Sequence, residues 1–61
     1  MRPVIIFGAG IMGRKLLNIL QWNVVTYFAD NDKRKHGKKI RNIPVISFDK
    51  MISLATEYDI I

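Results

Sequence analysis

Ten residues near the N-terminus, Val4-Ile5-Ile6-Phe7-Gly8-Ala9-Gly10-Ile11-Met12-Gly13, constrain the fold more than any other stretch of the chain. Val4 to Phe7 is a continuous apolar run, the pattern of a strand buried on both faces, as in parallel sheets. The next six residues fit the spacing G-x-G-x-x-G, and a helical pattern follows them. Each glycine has its own expected job. Gly8 permits a tight turn out of the strand. Gly10 lets a pyrophosphate approach the backbone without meeting a Cβ. Gly13 lets the helix lie close on the sheet. A pyrophosphate in such a turn faces unpaired N–H groups and the positive end of the helix dipole. The hexapeptide alone is a weak signal, and the order strand, turn, helix is what gives it meaning.

From Ile11 to about Gln21 the apolar residues recur at helical spacing. Met12, Leu16, Ile19 and Leu20 are expected to face the sheet beside Gly13, with Arg14, Lys15, Asn18 and Gln21 outward. Gln21-Trp22-Asn23 reads as the turn back, with Trp22 capping the bottom of the core. Val24 to Ala29 is rich in β-branched and aromatic residues and reads as a second strand. Strand, helix and strand make a βαβ unit with parallel strands and a right-handed crossover. Asp30 lies 20 positions after Gly10, at the end of that second strand. This is the place of an acid that holds ribose hydroxyls. Asn31 and Asp32 continue as turn formers. Ligands of open α/β sheets bind outside the carboxyl ends of the strands, so the glycine turn and Asp30 are expected to meet there. The candidate binding set is therefore Gly8, Ala9, Gly10, Ile11, Met12 and Gly13 of the turn, with Asp30 and Asn31.

Lys33, Arg34, Lys35, Lys38, Lys39 and Arg41 form a basic run that supplies much of the net charge of +5. It reads as a solvated loop bent at Gly37. Lys33 or Arg34 could meet an adenosine phosphate, as basic residues do in NADP sites. His36 reads as an exposed loop residue. Ile43-Pro44-Val45-Ile46 is a short strand that Pro44 confines to an edge or a strand start. Ser47 is a good helix N-cap. Phe48 to Thr56 is then a second helix, with Phe48, Ile52 and Ala55 inward and Met51 beside them. Tyr58 to Ile61 reads as the opening of a further strand. Residues 1–61 are thus expected to be the N-terminal half of a larger domain, a βαβ unit followed by a short edge strand, a helix and the start of another strand.

With no cysteine and one histidine, neither a disulfide nor a zinc site can staple the chain. A chain of this size buries only about 60% of its unfolded surface. No apolar stretch approaches the roughly 20 residues needed to span a bilayer. Nor does the N-terminus read as a signal peptide, because Gly8 and Gly10 break the apolar run. The default is a soluble cytoplasmic protein. An unpaired strand edge beside Val4 to Phe7, or at Tyr58 to Ile61, would invite self-association.

Taken together, Gly8 to Gly13, Tyr27-Phe28-Ala29-Asp30-Asn31-Asp32, Gly37-Lys38-Lys39-Ile40 and Ile43-Pro44-Val45-Ile46-Ser47 form a larger pattern. It resembles the N-terminal nucleotide-binding domains of bacterial sugar-modifying proteins. These occur in polysaccharide-forming nucleotide-sugar dehydratases and epimerases, in sugar-nucleotide acyltransferases and beside some methyltransferases. The resemblance covers most of the chain, and its later part is more specific than the glycine motif. It implies an α/β, Rossmann-like nucleotide-binding module, with a partial parallel sheet, a phosphate turn at Gly8, Gly10 and Gly13, and a ribose contact at Asp30. The parent protein would be an enzyme of sugar-nucleotide or surface-polysaccharide metabolism, binding a dinucleotide or a nucleotide-sugar. No catalytic residue is identifiable in these 61 residues: the Tyr-x-x-x-Lys pair of sugar-nucleotide dehydratases is absent.

Among cofactors, NAD is the first expectation, because an acid at Asp30 accepts from ribose hydroxyls and repels a 2′-phosphate. Lys33 and Arg34 keep NADP open. FAD fits less well, with Leu17 where a small residue is usual, and S-adenosylmethionine fits less well, with Ile6 where an acid is usual. A regulatory nucleotide-sensing domain of a transporter is one alternative. A ligand-free fragment whose basic loop meets anions or nucleic acid is another. No aromatic residue interleaves the basic run and no nucleic-acid-binding signature accompanies it, which speaks against nucleic acid.

Overall fold

A computed structural model describes residues 2–20 and 24–61, with the side chains of Ile11 and Met12 excepted. The turn expected at Gln21-Trp22-Asn23, the capping role of Trp22 and the inward direction of Met12 lie outside the described residues.

The chain forms β1 (Val4–Phe7), α1 (Ile11–Ile19), β2 (Val25–Ala29), a 3-10 turn (Lys33–Lys35), β3 (Lys39–Ile40), β4 (Ile43–Ile46), α2 (Phe48–Leu54) and β5 (Asp59–Ile60). Five strands make one sheet in the order β3-β4-β2-β1-β5. β1 runs parallel to β2 and β5, and β2 runs parallel to β4. β3 is antiparallel to β4, so the sheet is mixed rather than wholly parallel. The β1–β2 register, from Ile5 opposite Tyr27 to Phe7 opposite Ala29, brings the ends of the two strands level.

Alternation along the strands, interrupted in β2 by a register shift between Val25 and Tyr27, divides the core between the two faces of the sheet. On one face, Val4, Ile6, Val25, Phe28, Ile43 and Val45 pack with Leu17 of α1. On the other, Ile5 and Ala29 pack with Met51 of α2, flanked by Tyr27, Ile46, Leu54 and Tyr58. Phe28, Ile5, Ile6 and Leu17 are the largest fully buried side chains. Each such side chain stabilises the fold by about 1.5–3 kcal/mol relative to exposure.

Both helices are rotated from the faces expected of them. In α1 the central contact is Leu17, four residues after buried Gly13, while Leu16 and Leu20 flank it and Ile19 is 80% exposed. Gly13 sets that rotation. A Cβ built on it would lie 1.9 Å from the Gly8 carbonyl oxygen, so this is the point where the helix touches the sheet. Residues one turn further along the same line, at i+4, then face inward. In α2, Met51 is buried, whereas Ile52 is 55% exposed and Phe48 lies at the margin, its ring 5.5 Å from that of Phe7.

β4 is internal, not an edge. β2 lies on one side of it and β3 on the other. The N–H of Val45 donates to Lys38 O on the β3 side, and Ile46 O accepts from Asp30 N–H on the β2 side. Successive residues of a strand point their backbone groups to opposite neighbours, so the donor missing at Pro44 falls on the β2 side. There the ladder begins only at Phe28 opposite Val45, and no bond is lost. The hairpin joining β3 to β4 turns on Arg41 and Asn42, both with positive φ (50° and 66°). That is the two-residue turn whose twist suits a hairpin. Arg41 also reaches back from this turn to Asn18 of α1. The strand expected to open at Tyr58 is β5, paired with β1, so the edge beside Val4 to Phe7 is covered. The open edges belong to β3 and β5. Among the described residues, no helix is long and apolar enough to cross a membrane.

Candidate functional site at the carboxyl edge of the sheet

Three connections leave the carboxyl ends of adjacent parallel strands and gather at one edge: the glycine turn after β1, the acidic turn after β2, and the start of α2 after β4. Gly8 has φ +105°, a conformation that L side chains rarely adopt, and its N–H donates to Ala29 O at 2.6 Å. This bond ties the glycine turn to the end of β2. One residue on, the N–H of Ala9 donates to Asp30 Oδ2 at 2.8 Å. The sequence separates these two groups by 21 residues, and the parallel register of β1 and β2 brings them together.

Asp30 is the hub of the edge. Its Oδ1 accepts from the N–H of Asp32 at 2.8 Å, and Lys35 Nζ lies 3.5 Å from Oδ2. Its own N–H donates to Ile46 O, and its carbonyl accepts from His36 Nε2 at 2.6 Å. A carbonyl only accepts, so Nε2 is the donor of that bond. His36 is therefore a half-buried strut, not the exposed loop residue expected. The N–H of Ala9 and then that of Asp32 hold the Asp30 carboxyl below the usual carboxylate range against the opposing effect of burial, and the Lys35 cation adds a smaller push the same way. The side chain is only 16% exposed. A carboxylate offers about four lone-pair positions, of which these three donors occupy three, so Oδ1 keeps acceptor capacity.

Asp32 closes on the basic loop itself. It accepts from Arg34 N–H, Nε and Nη2, each at 3.0 Å. The Arg34 guanidinium holds the Asp32 carboxyl down at about 2, and Asp32 raises Arg34 in return. Arg34 is thus engaged by a neighbour two residues away.

Gly10 is the N-cap of α1. No side chain caps that helix, and no acid stands in its first turn. A Cβ built on Gly10 meets nothing within 4 Å. Of the other turn residues, Ala9 is buried, and Ile11 and Met12 contribute the first helical turn by their backbone. Gly13 is fixed by its contact with Gly8. Asn31 is exposed and borders a cleft of about 230 Å³ with Lys33, His36, Ser47, Phe48 and Asp49. A second cleft of about 220 Å³ opens beside Ala9, between α1 and the basic loop. A third, of about 350 Å³ and mainly apolar, lies between α1 and the ends of β1 and β5. Spacing brought out the glycine turn and Asp30. The links from Asp30 to His36 and Lys35 carry no motif and come only with the loop's fold. Comparison of the chain with protein-family models, with curated proteins and with solved structures gives no match.

Proposed function

We propose that the chain binds a dinucleotide of the NAD(P) type, with its pyrophosphate on the Gly8–Gly13 turn and a ribose on Asp30. One observation carries the reading: the Ala9 N–H to Asp30 Oδ2 bond sets the ribose-type acid directly against the glycine turn. The start of α1 beside it carries no side-chain cap, and the space over Gly10 is open. First-turn N–H groups and the helix dipole attract an anion at such a place. Gly8 is required by its backbone and Gly13 by its packing, whereas among the described residues no contact requires Gly10. A phosphate approaching the backbone supplies the missing reason.

The sheet agrees with this reading. Parallel strands in the order β4-β2-β1-β5, with the chain crossing back to the far side of β1, support a Rossmann-type reading, since that is the order of such a sheet from its third strand to its fourth. The connection from β2 to β4 departs from that pattern, being the basic loop and a hairpin in place of a helix. By the sequence resemblance, the parent protein acts in sugar-nucleotide or surface-polysaccharide metabolism. The competing reading makes Asp30 a loop tie and no more. A titration with NADH followed by backbone amide NMR separates the two. Saturable shifts at Gly8 to Gly13 and Asp30 support binding. Shifts confined to Lys33–Arg41 and removed by salt, or no shifts at all, leave Asp30 as a tie alone.

A further inference from the structure

The cleft beside Ala9 has a floor of Ala9, Ile40 and Val45, and its walls carry Arg14, Lys35, Lys38 and Lys39. Four cationic residues thus border about 220 Å³, enough for several waters at roughly 30 Å³ each and ample for a phosphoryl group. They come from two sides of the cleft. Arg14 stands on the first turns of α1, and the three lysines stand on the loop and on β3. The Arg41 to Asn18 contact holds the hairpin against α1 and so keeps the two walls together. Lys35 already lies 3.5 Å from Asp30 Oδ2. Among the described residues, Arg14, Lys38 and Lys39 have no carboxylate within ion-pair distance.

From this geometry we infer that the cleft receives a phosphate monoester on the ribose of the bound dinucleotide, so that the ligand is of the NADP class. The inference rests on the dinucleotide reading. A ribose placed at Asp30 has Ala9 on one side and Lys35 on the other, and both border this cleft. The repulsion that a bare Asp30 would exert is reduced here, because two N–H groups and Lys35 already meet its charge. Lys33 and Arg34, the phosphate partners that sequence spacing suggests, do not border the cleft, and Arg34 is held by Asp32.

The test compares NADPH and NADH binding at 0.15 M salt, by calorimetry and amide NMR, on the protein and on two doubly substituted forms. Lys38→Ala/Lys39→Ala removes two cleft cations. Lys33→Ala/Lys50→Ala removes the same charge elsewhere. All four positions are exposed, so both forms are expected to fold. NADPH should bind about tenfold or more tightly than NADH, since charged hydrogen bonds to the extra phosphate are worth that factor. The preference should vanish in the first double form and persist in the second. Equal affinities for the two cofactors would overturn the inference and leave the glycine-turn reading standing. A preference lost equally in both double forms would reduce it to net charge and overturn it. Binding of neither cofactor would overturn the inference together with the reading beneath it.

Discussion

α1 follows β1 and α2 follows β4, so both helices begin at the same edge of the sheet, yet their first turns are finished differently. α2 opens on Ser47, whose Oγ accepts from the Lys50 N–H at 3.1 Å, and Asp49 in its first turn meets the positive end of the dipole. α1 opens on Gly10 with neither a capping side chain nor an acid. The backbone at the two caps is similar, extended in both (φ −94°, ψ −158° at Gly10; φ −73°, ψ 163° at Ser47), so geometry does not force the difference. Every helix leaves four N–H groups without intrahelical partners at its start. In α2 the protein's own side chains meet part of that need. In α1 the need is left open beside Asp30 and a cationic cleft.

The strongest way to break the comparison is at Gly13, which fixes where α1 starts. Gly13→Ala would place a Cβ 1.9 Å from Gly8 O, a backbone atom that cannot move without disturbing the turn. Overpacking commonly costs 1–3 kcal/mol, and a backbone clash this close is expected to cost about 3 kcal/mol or more. Chemical denaturation should show a chain largely unfolded at 25 °C or sharply lowered in midpoint. A midpoint close to that of the parent would mean that α1 does not touch the sheet at Gly13.

Next in size is Asp30, whose side chain ties the glycine turn before α1 to the acidic turn after β2. Asp30→Ala leaves the N–H groups of Ala9 and Asp32 without their acceptor. Each orphaned donor costs about 1–3 kcal/mol when buried, and partial exposure here puts the expected total near 2 kcal/mol. The same contacts predict a pH dependence. The folded carboxyl is held below its unfolded value of about 3.9, so the unfolded chain binds more protons as the pH falls. The stabilisation is present above that value and is lost as the pH drops through the folded one. Urea midpoints at about pH 6 and about pH 2.5 should therefore differ more for the parent than for Asp30→Ala. Equal differences would mean that Asp30 contributes nothing to acid sensitivity.

These residues also show where sequence reading succeeded and where it stopped. The strand before Gly8, the strand before Asp30 and the Ser47 cap each rest on neighbours within a few positions, and such local signals were legible. So was the strand ending the chain, in which Asp59 and Ile60 pair with Val4 and Ile5. The helix faces were not legible, because several apolar residues share each helix and the contact at Gly13 selects Leu17 over Ile19. Pro44 marked a place where a donor is missing, but only the sheet shows that the gap falls before the ladder begins. Asp30 was found by spacing. Its engagement with Ala9, Asp32, Lys35 and His36 depends on strand register and on the path of a loop that no motif encodes.

On the α2 side the expected effect is smaller. Ser47→Ala removes one cap and should cost about 1 kcal/mol, as N-cap substitutions of this kind do. NADH affinity should be unchanged, because the substitution lies at the other helix. A thermal melt and a binding isotherm on the same sample check both halves of that expectation. A parallel fall in affinity would mean that the two helix starts are not independent.

The smallest effect on stability, and the sharpest for function, is expected where α1 is made to resemble α2. Gly10→Ser introduces a Cβ into space that is empty in the protein, on a backbone already extended like that of Ser47. Serine is as good an N-cap as glycine or better, so stability should hold or rise by a few tenths of a kcal/mol. The new hydroxyl would occupy the acceptor position that an anion's oxygen would otherwise take, and its Cβ would stand where the proposed pyrophosphate would approach. NADH and NADPH affinity should therefore both fall by about tenfold or more, the factor that corresponds to one lost charged hydrogen bond. A variant equally stable and unable to bind would show that Gly10 is kept for a guest and not for the fold. A variant that binds as well as the parent would place the pyrophosphate elsewhere and remove the reason for α1's open start.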